Sequence, residues 1–161
     1  MDITQLGATA ITRLRTLMKK LRNPVTGCPW DLKQSFETIA PYTIEEAYEV
    51  ADAIERKNMP DLREELGDLL FQVIFYAQLA EEERLFTFDE ICDGLTEKMV
   101  KRHPHVFGES APQNQEHGAS AQTLGWEEIK KQEREKKAKD NHQTFSLLDD
   151  VPLALPALTR A

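Results

Sequence analysis

From Asp61 to Arg84 no proline interrupts the chain, and between Leu66 and Ala80 the residues are apolar on nearly every side of a helix. At about 100° per residue, Leu62, Leu66, Leu69, Val73 and Ala80 fall on one side, and Phe71, Phe75 and Leu79 on the other. A helix that is apolar nearly all round belongs in the middle of an assembly, covered by others. The rest of the chain offers cover of the same kind. Gly and Pro are few in the first two-thirds, no alternating strand pattern of useful length occurs, and helical periodicity dominates. The fold class this predicts is all-α, an antiparallel helical bundle.

The stop and start signals divide that bundle. A first helix is expected from about Thr4 to Arg22, with Leu6, Ala10, Leu14, Leu17, Met18 and Leu21 as its apolar stripe and Asn23-Pro24 as its end. Val25 to Asp31 is turn-rich, with Gly27 and Pro29. A short helical piece follows from Lys33 to Ala40, interrupted by Pro41. A second long helix is expected from about Thr43 to Lys57, opened by a capping box in Thr43-Ile44-Glu45-Glu46. Pro60 suits the first turn of the third, Asp61 to Arg84. Thr87-Phe88-Asp89-Glu90 is a further capping box, and it opens a fourth helix ending near His103-Pro104. Residues 106–120 read as a polar loop, and about 121–139 as a largely charged helix docked by Trp126 and Ile129. This gives a helical domain over residues 1–139 and a flexible segment or connector over 140–161.

Composition excludes several classes. With 161 residues, 40% hydrophobic and 30% charged, the chain has the composition of a globular domain. No stretch approaches the roughly 18 uninterrupted apolar residues of a membrane span, and Met1 to Lys20 lacks the apolar block of a signal peptide. Two cysteines, Cys28 and Cys92, lie far apart without metal-ligand spacing, so a reducing cytoplasm is the expected setting. The net charge of −8 argues against binding duplex nucleic acid, which relies on a basic face. It does not argue against an anionic small molecule, because cations held by carboxylates reverse the local potential.

The acids are where chemistry enters. Glu65 and Asp68 are i, i+3 on the line that continues through Gln72, Phe75 and Leu79. Two carboxylates on a buried face need protonation, a Lys or Arg partner, or a metal ion. On the preceding helix Ile44, Ala47, Tyr48, Ala51 and Ile54 form the expected core stripe, with Glu46, Glu49 and Ala53 roughly opposite and Glu45 beside them. A short connection makes the two helices an antiparallel hairpin, so two acidic pairs converge on one point. Oxygen ligands in that number suit a hard cation, Mg²⁺ or Mn²⁺. Other accounts stand beside this one. Glu46 also fits the Thr43 capping box, Glu45 and Glu49 a solvated face, and Glu65 and Asp68 first-turn acids favoured by the helix dipole.

Glu45-Glu46-x-x-Glu49, fifteen residues, then Glu65-x-x-Asp68 resembles the signature of the all-α nucleoside triphosphate pyrophosphohydrolases. Four blocks resemble the MazG family in particular: Gly27-Cys28-Pro29-Trp30-Asp31, Ile39 to Glu46, Asp61 to Gln72, and Arg102-His103-Pro104-His105-Val106-Phe107-Gly108. The resemblance covers about residues 8–135. It implies a tight homodimer and Mg²⁺-dependent hydrolysis of a nucleoside triphosphate to the monophosphate and pyrophosphate. By position it makes Glu46, Glu49, Glu65 and Asp68 the metal ligands. Glu45, beside Glu46 in the catalytic role, is an acid that orients or deprotonates water. Lys98 and Arg102, i, i+4 on the fourth helix, resemble the family's phosphate-binding pair. Trp126 and Lys130 correspond to further nucleotide contacts, and Lys33 is an additional candidate.

Read as residues alone, Lys98 and Arg102 are equally ordinary surface charges, and Trp126 a docking anchor. His103 and His105, separated by Pro104, fit helix termination and hydrogen bonding better than ligation. Leu148-Asp149-Asp150-Val151-Pro152, with Leu155 to Ala161, resembles the connector that precedes a second copy in tandem MazG proteins. The chain is therefore expected to be an N-terminal half of such a protein. In that case an alternative role is a catalytically weak nucleotide-binding or dimerisation half.

Overall fold

The computed structural model describes residues 3–107, His105 through its backbone alone. A 3₁₀ turn, Ile3–Leu6, leads into α1 (Ala10–Leu21), α2 (Pro29–Leu32), α3 (Phe36–Glu55), α4 (Met59–Glu83), α5 (Phe88–Arg102) and α6 (Pro104–Phe107). No strand occurs among the described residues, so the all-α class stands. The described chain divides after Leu95, so the stretch of α5 from Thr96 onward and α6 are treated by themselves.

The first expected helix is broken in two. Gly7 takes φ +155, and a Cβ there would lie 2.6 Å from Thr12 Cγ2. Glycine alone tolerates that conformation, and the chain restarts at Thr9, whose side chain accepts from Thr12 N at 3.2 Å. Behind α1, Asn23 Oδ1 accepts from the amides of Val25 and Thr26, each at 2.9 Å. Gly27 closes this turn. A Cβ there would collide with the carbonyl oxygens of Leu21 and Asn23.

The largest correction concerns α3. The capping box lies at Ser35, not Thr43. Ser35 N donates to Thr38 Oγ1 at 2.8 Å, and Ser35 Oγ accepts from Thr38 N at 3.4 Å. The helix therefore starts at Phe36 and runs through Pro41. Proline there removes one hydrogen bond, that to the carbonyl four residues back. That carbonyl belongs to Glu37, an exposed residue. Thr43 is released for another role. Its hydroxyl lies 2.8 Å from Tyr76 Oη, across the α3–α4 hairpin.

Other boundaries follow the sequence. Asn58 caps α4, accepting from Asp61 N at 3.3 Å, with Pro60 in the first turn. Thr87 and Glu90 cap α5 reciprocally, at 3.2 and 2.7 Å. His103 Nδ1 lies 2.7 Å from Met99 O, a hydrogen bond at the helix end. The polar loop expected from 106 begins later, because Pro104–Phe107 forms a helical turn. The remainder of that loop, the charged helix and the connector lie outside the described residues.

The core joins α1, α3, α4 and α5 through Met18, Ile39, Ile74, Phe75, Ala77, Leu79 and Phe88. Ion pairs brace its edge. Arg15 reaches Glu81 at 3.2 Å and Asp89 at 2.8 Å, and Lys19 reaches Glu81 at 3.0 Å. Arg22 is nearly buried, bonded to Glu82 at 2.7 Å and to the carbonyls of Asp31 and Gln34, with its guanidinium over the Phe75 ring. It thus ties the α2 loop to α4.

Helix α4 is only half covered. From Gln72 to Ala80 it is mostly buried, but Leu66, Leu70 and Val73 are exposed. The reason is length. Helix α4 has 25 residues and α1 has 12, about 37 Å against about 18 Å, so α1 covers one half of the face. The expected core stripe of α3 is likewise uncovered, with Ile44 48% and Tyr48 57% exposed. The face of α3 turned toward α4 is instead Ile39, Thr43, Glu46, Val50 and Ala53, all buried or half-buried.

Candidate metal centre

The inward turn of α3 brings its acids to α4. Glu46 and Glu49 stand one turn apart on α3, and Glu65 and Asp68 one turn apart on α4. One carboxylate oxygen from each of Glu46, Glu49 and Glu65 lies within 4.8 Å of the others. Asp68 stands just outside this trio, yet its charge acts on both Glu46 and Glu65. None of the ion pairs among the described residues involves these four acids.

The electrostatic result is visible in Glu46. Burial raises its pKa above the ordinary glutamate value, and the negative charges of Asp68 and Glu49, a hydrogen bond with Glu49, and Glu65 add to the rise. Glu65 moves the same way, first through burial and then through Glu49 and Asp68. Like charges held together without a basic partner are strained unless protonated or bridged by a cation. The donors are carboxylate oxygens alone, without His or Cys, which fits hard divalent cations.

The sequence-based set is resolved unevenly. Glu46, Glu49 and Glu65 converge, and the capping role of Glu46 disappears with the Thr43 box. Asp68 and Glu65 are less enclosed than expected, Asp68 exposed and Glu65 half-buried. They occupy the open end of a line whose other end, Gln72 and Phe75, is buried. Glu45 is exposed and outside the trio. Lys33, at the end of α2, is exposed, and no described hydrogen bond or ion pair joins it to the acids. Lys98 is exposed and Arg102 half-buried, one turn apart in the segment from Thr96 onward. Trp126 and Lys130 lie outside the described residues.

Together these features define a class: an all-α domain built on a helical hairpin, with a cluster of carboxylates between its two helices in the half nearer the connecting turn. Residues 34–107 match the model of the MazG nucleotide pyrophosphohydrolase domain. That stretch holds α3 to α6 and with them the four acids, so the likeness to MazG proteins falls on the part of the chain that carries the site. The chain is 55% identical, over 94% of its length and 54% of the relative's, to a protein of Escherichia coli K12 named nucleoside triphosphate pyrophosphohydrolase. A Thermotoga maritima protein named nucleoside triphosphate pyrophosphohydrolase/pyrophosphatase MazG is 44% identical over 92% of this chain and 52% of its own. Among solved structures, a mazG-related protein from Thermotoga maritima superposes with a TM-score of 0.59 at 28% identity, covering 74% of this chain and 97% of that one. The chain spans about half the length of the curated relatives it matches.

Proposed function

We propose that this chain hydrolyses nucleoside triphosphates, NTPs or dNTPs, to the monophosphate and pyrophosphate with Mg²⁺ as cofactor. Mn²⁺ is a substitute of the same donor preference. The observation that carries the reading is the convergence of Glu46, Glu49 and Glu65 within 4.8 Å, with Asp68 adding charge and no basic partner among the described residues. The names of the E. coli and Thermotoga relatives support the substrate class.

Glu46, Glu49, Glu65 and Asp68 hold the cation. When bound it neutralises triphosphate charge and lowers the pKa of coordinated water. Glu45, exposed beside this set, orients water or accepts its proton together with Glu46. Lys98 and Arg102 take the phosphates, and Trp126, Lys130 and Lys33 complete the nucleotide contacts. Positioning and electrostatics of this kind supply most of the catalysis in phosphoryl-type transfer.

The same reading includes a homodimer formed over the uncovered apolar faces of α3 and α4, and a helical domain to about residue 139 followed by a connector. No described helix is long and apolar enough to cross a membrane. No disulfide joins Cys28 and Cys92, which suits a cytoplasmic setting, and the acidic balance suits a protein that leaves duplex nucleic acid alone.

The test is pyrophosphate release from a nucleotide panel, with and without Mg²⁺. Glu49→Ala and Asp68→Ala each remove a ligand worth several kcal/mol of charge stabilisation, so release should fall by about 10²-fold or more while the helical content stays. Full activity in either variant defeats the site. A second reading follows from the chain spanning about half of its relatives: a nucleotide-binding or dimerisation half with weak turnover. Nucleotide binding by calorimetry without release across the panel selects it.

A further inference from the structure

The four acids of the α3–α4 hairpin lie between two side-chain ties that join its helices. Away from the turn, Thr43 Oγ1 lies 2.8 Å from Tyr76 Oη. At the turn, Arg56 donates from Nε to Asp52 Oδ2 at 2.6 Å and from Nη1 to Asp61 Oδ2 at 2.9 Å. Asp52 stands on α3 and Asp61 on α4, so one guanidinium bonds both helices. Along the chain Glu46 and Glu49 fall between Thr43 and Asp52, and Glu65 and Asp68 between Asp61 and Tyr76. Asp52 is three residues from Glu49 and Asp61 four from Glu65, the spacing of side-chain neighbours on a helix.

Without a cation the acid cluster works against its own closure. Glu46, Glu49 and Glu65 converge, and like charges across the hairpin push α3 from α4. The connection that must resist this runs from Arg56 to Asn58, and Lys57 within it takes φ +56. A non-glycine residue stays in that region only where its surroundings hold it. The two Arg56 bonds, one to each helix, are such a hold. Asp61 is also among the charges that act on Glu65, so the tie sits within electrostatic reach of the cluster. The Arg56 side chain is 47% exposed, and exposed ion pairs contribute little to overall stability.

We propose that Arg56 is a positioning residue of the acid site: closed on Asp52 and Asp61, it holds the turn end of the hairpin so that Glu49 and Glu65 face each other before a cation arrives. This rests on the metal reading above. Magnesium demands near-ideal octahedral geometry, and a site already held in its bound arrangement binds more tightly than one that must first be ordered. Arginine suits the task, because its planar fork presents several donors to carboxylates at fixed spacing.

The test uses the full chain with two variants that keep the net charge: Arg56→Met combined with Asp61→Asn, which has no tie, and Arg56→Lys, which has the charge without the fork. Mn²⁺ binding is measured by calorimetry, and Tm is measured without added cation. Because each change of sign is balanced, charge alone leaves the affinity at the parent's value. The expected result is Mn²⁺ binding weaker by about three- to fivefold in the double variant, which is what an exposed ion pair can supply, with Arg56→Lys in between. The difference should persist at high salt, where residual charge effects are screened. A merely structural arginine gives a lower Tm with affinity unchanged. Parental or tighter binding by the double variant overturns the proposal, as does its failure to fold. If the parent itself does not bind Mn²⁺, the metal reading falls and this falls with it. If the parent and the double variant bind equally, only the role of Arg56 is lost.

Discussion

Glu46 meets its neighbours' charge without a basic partner, and that sets its response to pH. Burial first, then Asp68 and Glu49, raise its pKa, and Glu65 is raised likewise. A carboxyl raised on folding contributes stability that is fully present below its unfolded pKa and is lost as pH rises through its folded value. Near neutral pH the cation-free site is therefore under repulsion, which a bound cation relieves. Added Mg²⁺ at a hundredfold excess over Kd should stabilise the chain by about 2.7 kcal/mol, several degrees in Tm. At a lower pH, where the raised carboxylates take up protons, protons compete with the cation and the gain should shrink. Thermal unfolding with and without Mg²⁺ at both pH values checks this, and a gain that does not fall with pH counts against the acids as ligands. At this scale the sequence was informative but incomplete. It placed both acidic pairs at i, i+3, and it could not separate Glu46 as ligand from Glu46 as cap.

The helices show why. Thr43-Ile44-Glu45-Glu46 and Ser35-Phe36-Glu37-Thr38 both satisfy a capping pattern, and the second is used. Ser35 and Thr38 bond reciprocally, Phe36 and Tyr76 stack with centroids 6.1 Å apart, and Ile39 is buried. Packing around the earlier start outweighs the proline at position 41, whose lost hydrogen bond falls on an exposed carbonyl. Ser35→Ala should cost about 1 kcal/mol, about 3 °C in Tm, whereas Thr43→Ser, which keeps the hydroxyl facing Tyr76, should cost less. A larger loss at Thr43→Ser in thermal melts would contradict the observed cap. The Thr87 box and the place of Pro60 in the first turn of α4 were legible, because no competing start lies near them, whereas the cap at Asn58 was read only from the structure.

Over the whole molecule, what remains uncovered matters most. Leu66, Leu70 and Val73 continue along α4 the face that Ala77 and Ala80 bury further on, and Ile44, Tyr48 and Ile54 are exposed on α3. Exposed apolar surface on this scale is a site of association. Tyr48→Asp combined with Leu70→Lys should shift the chain from dimer to monomer in size-exclusion chromatography with light scattering. A parent that is already monomeric at micromolar concentration removes the dimer from the proposal. The sequence by itself determined that the chain is helical, where α4 and α5 begin, and that acids recur one turn apart on two successive helices, because these follow from local periodicity and capping. Only the tertiary structure decided which face of α3 turns inward. That helix carries an apolar stripe and, opposite, an acid-bearing face with Ile39 and Ala53. Periodicity shows both, but the choice depends on what α4 presents to them. In this fold the acid-bearing face is the one enclosed, and this convergence makes a cluster of Glu46, Glu49 and Glu65.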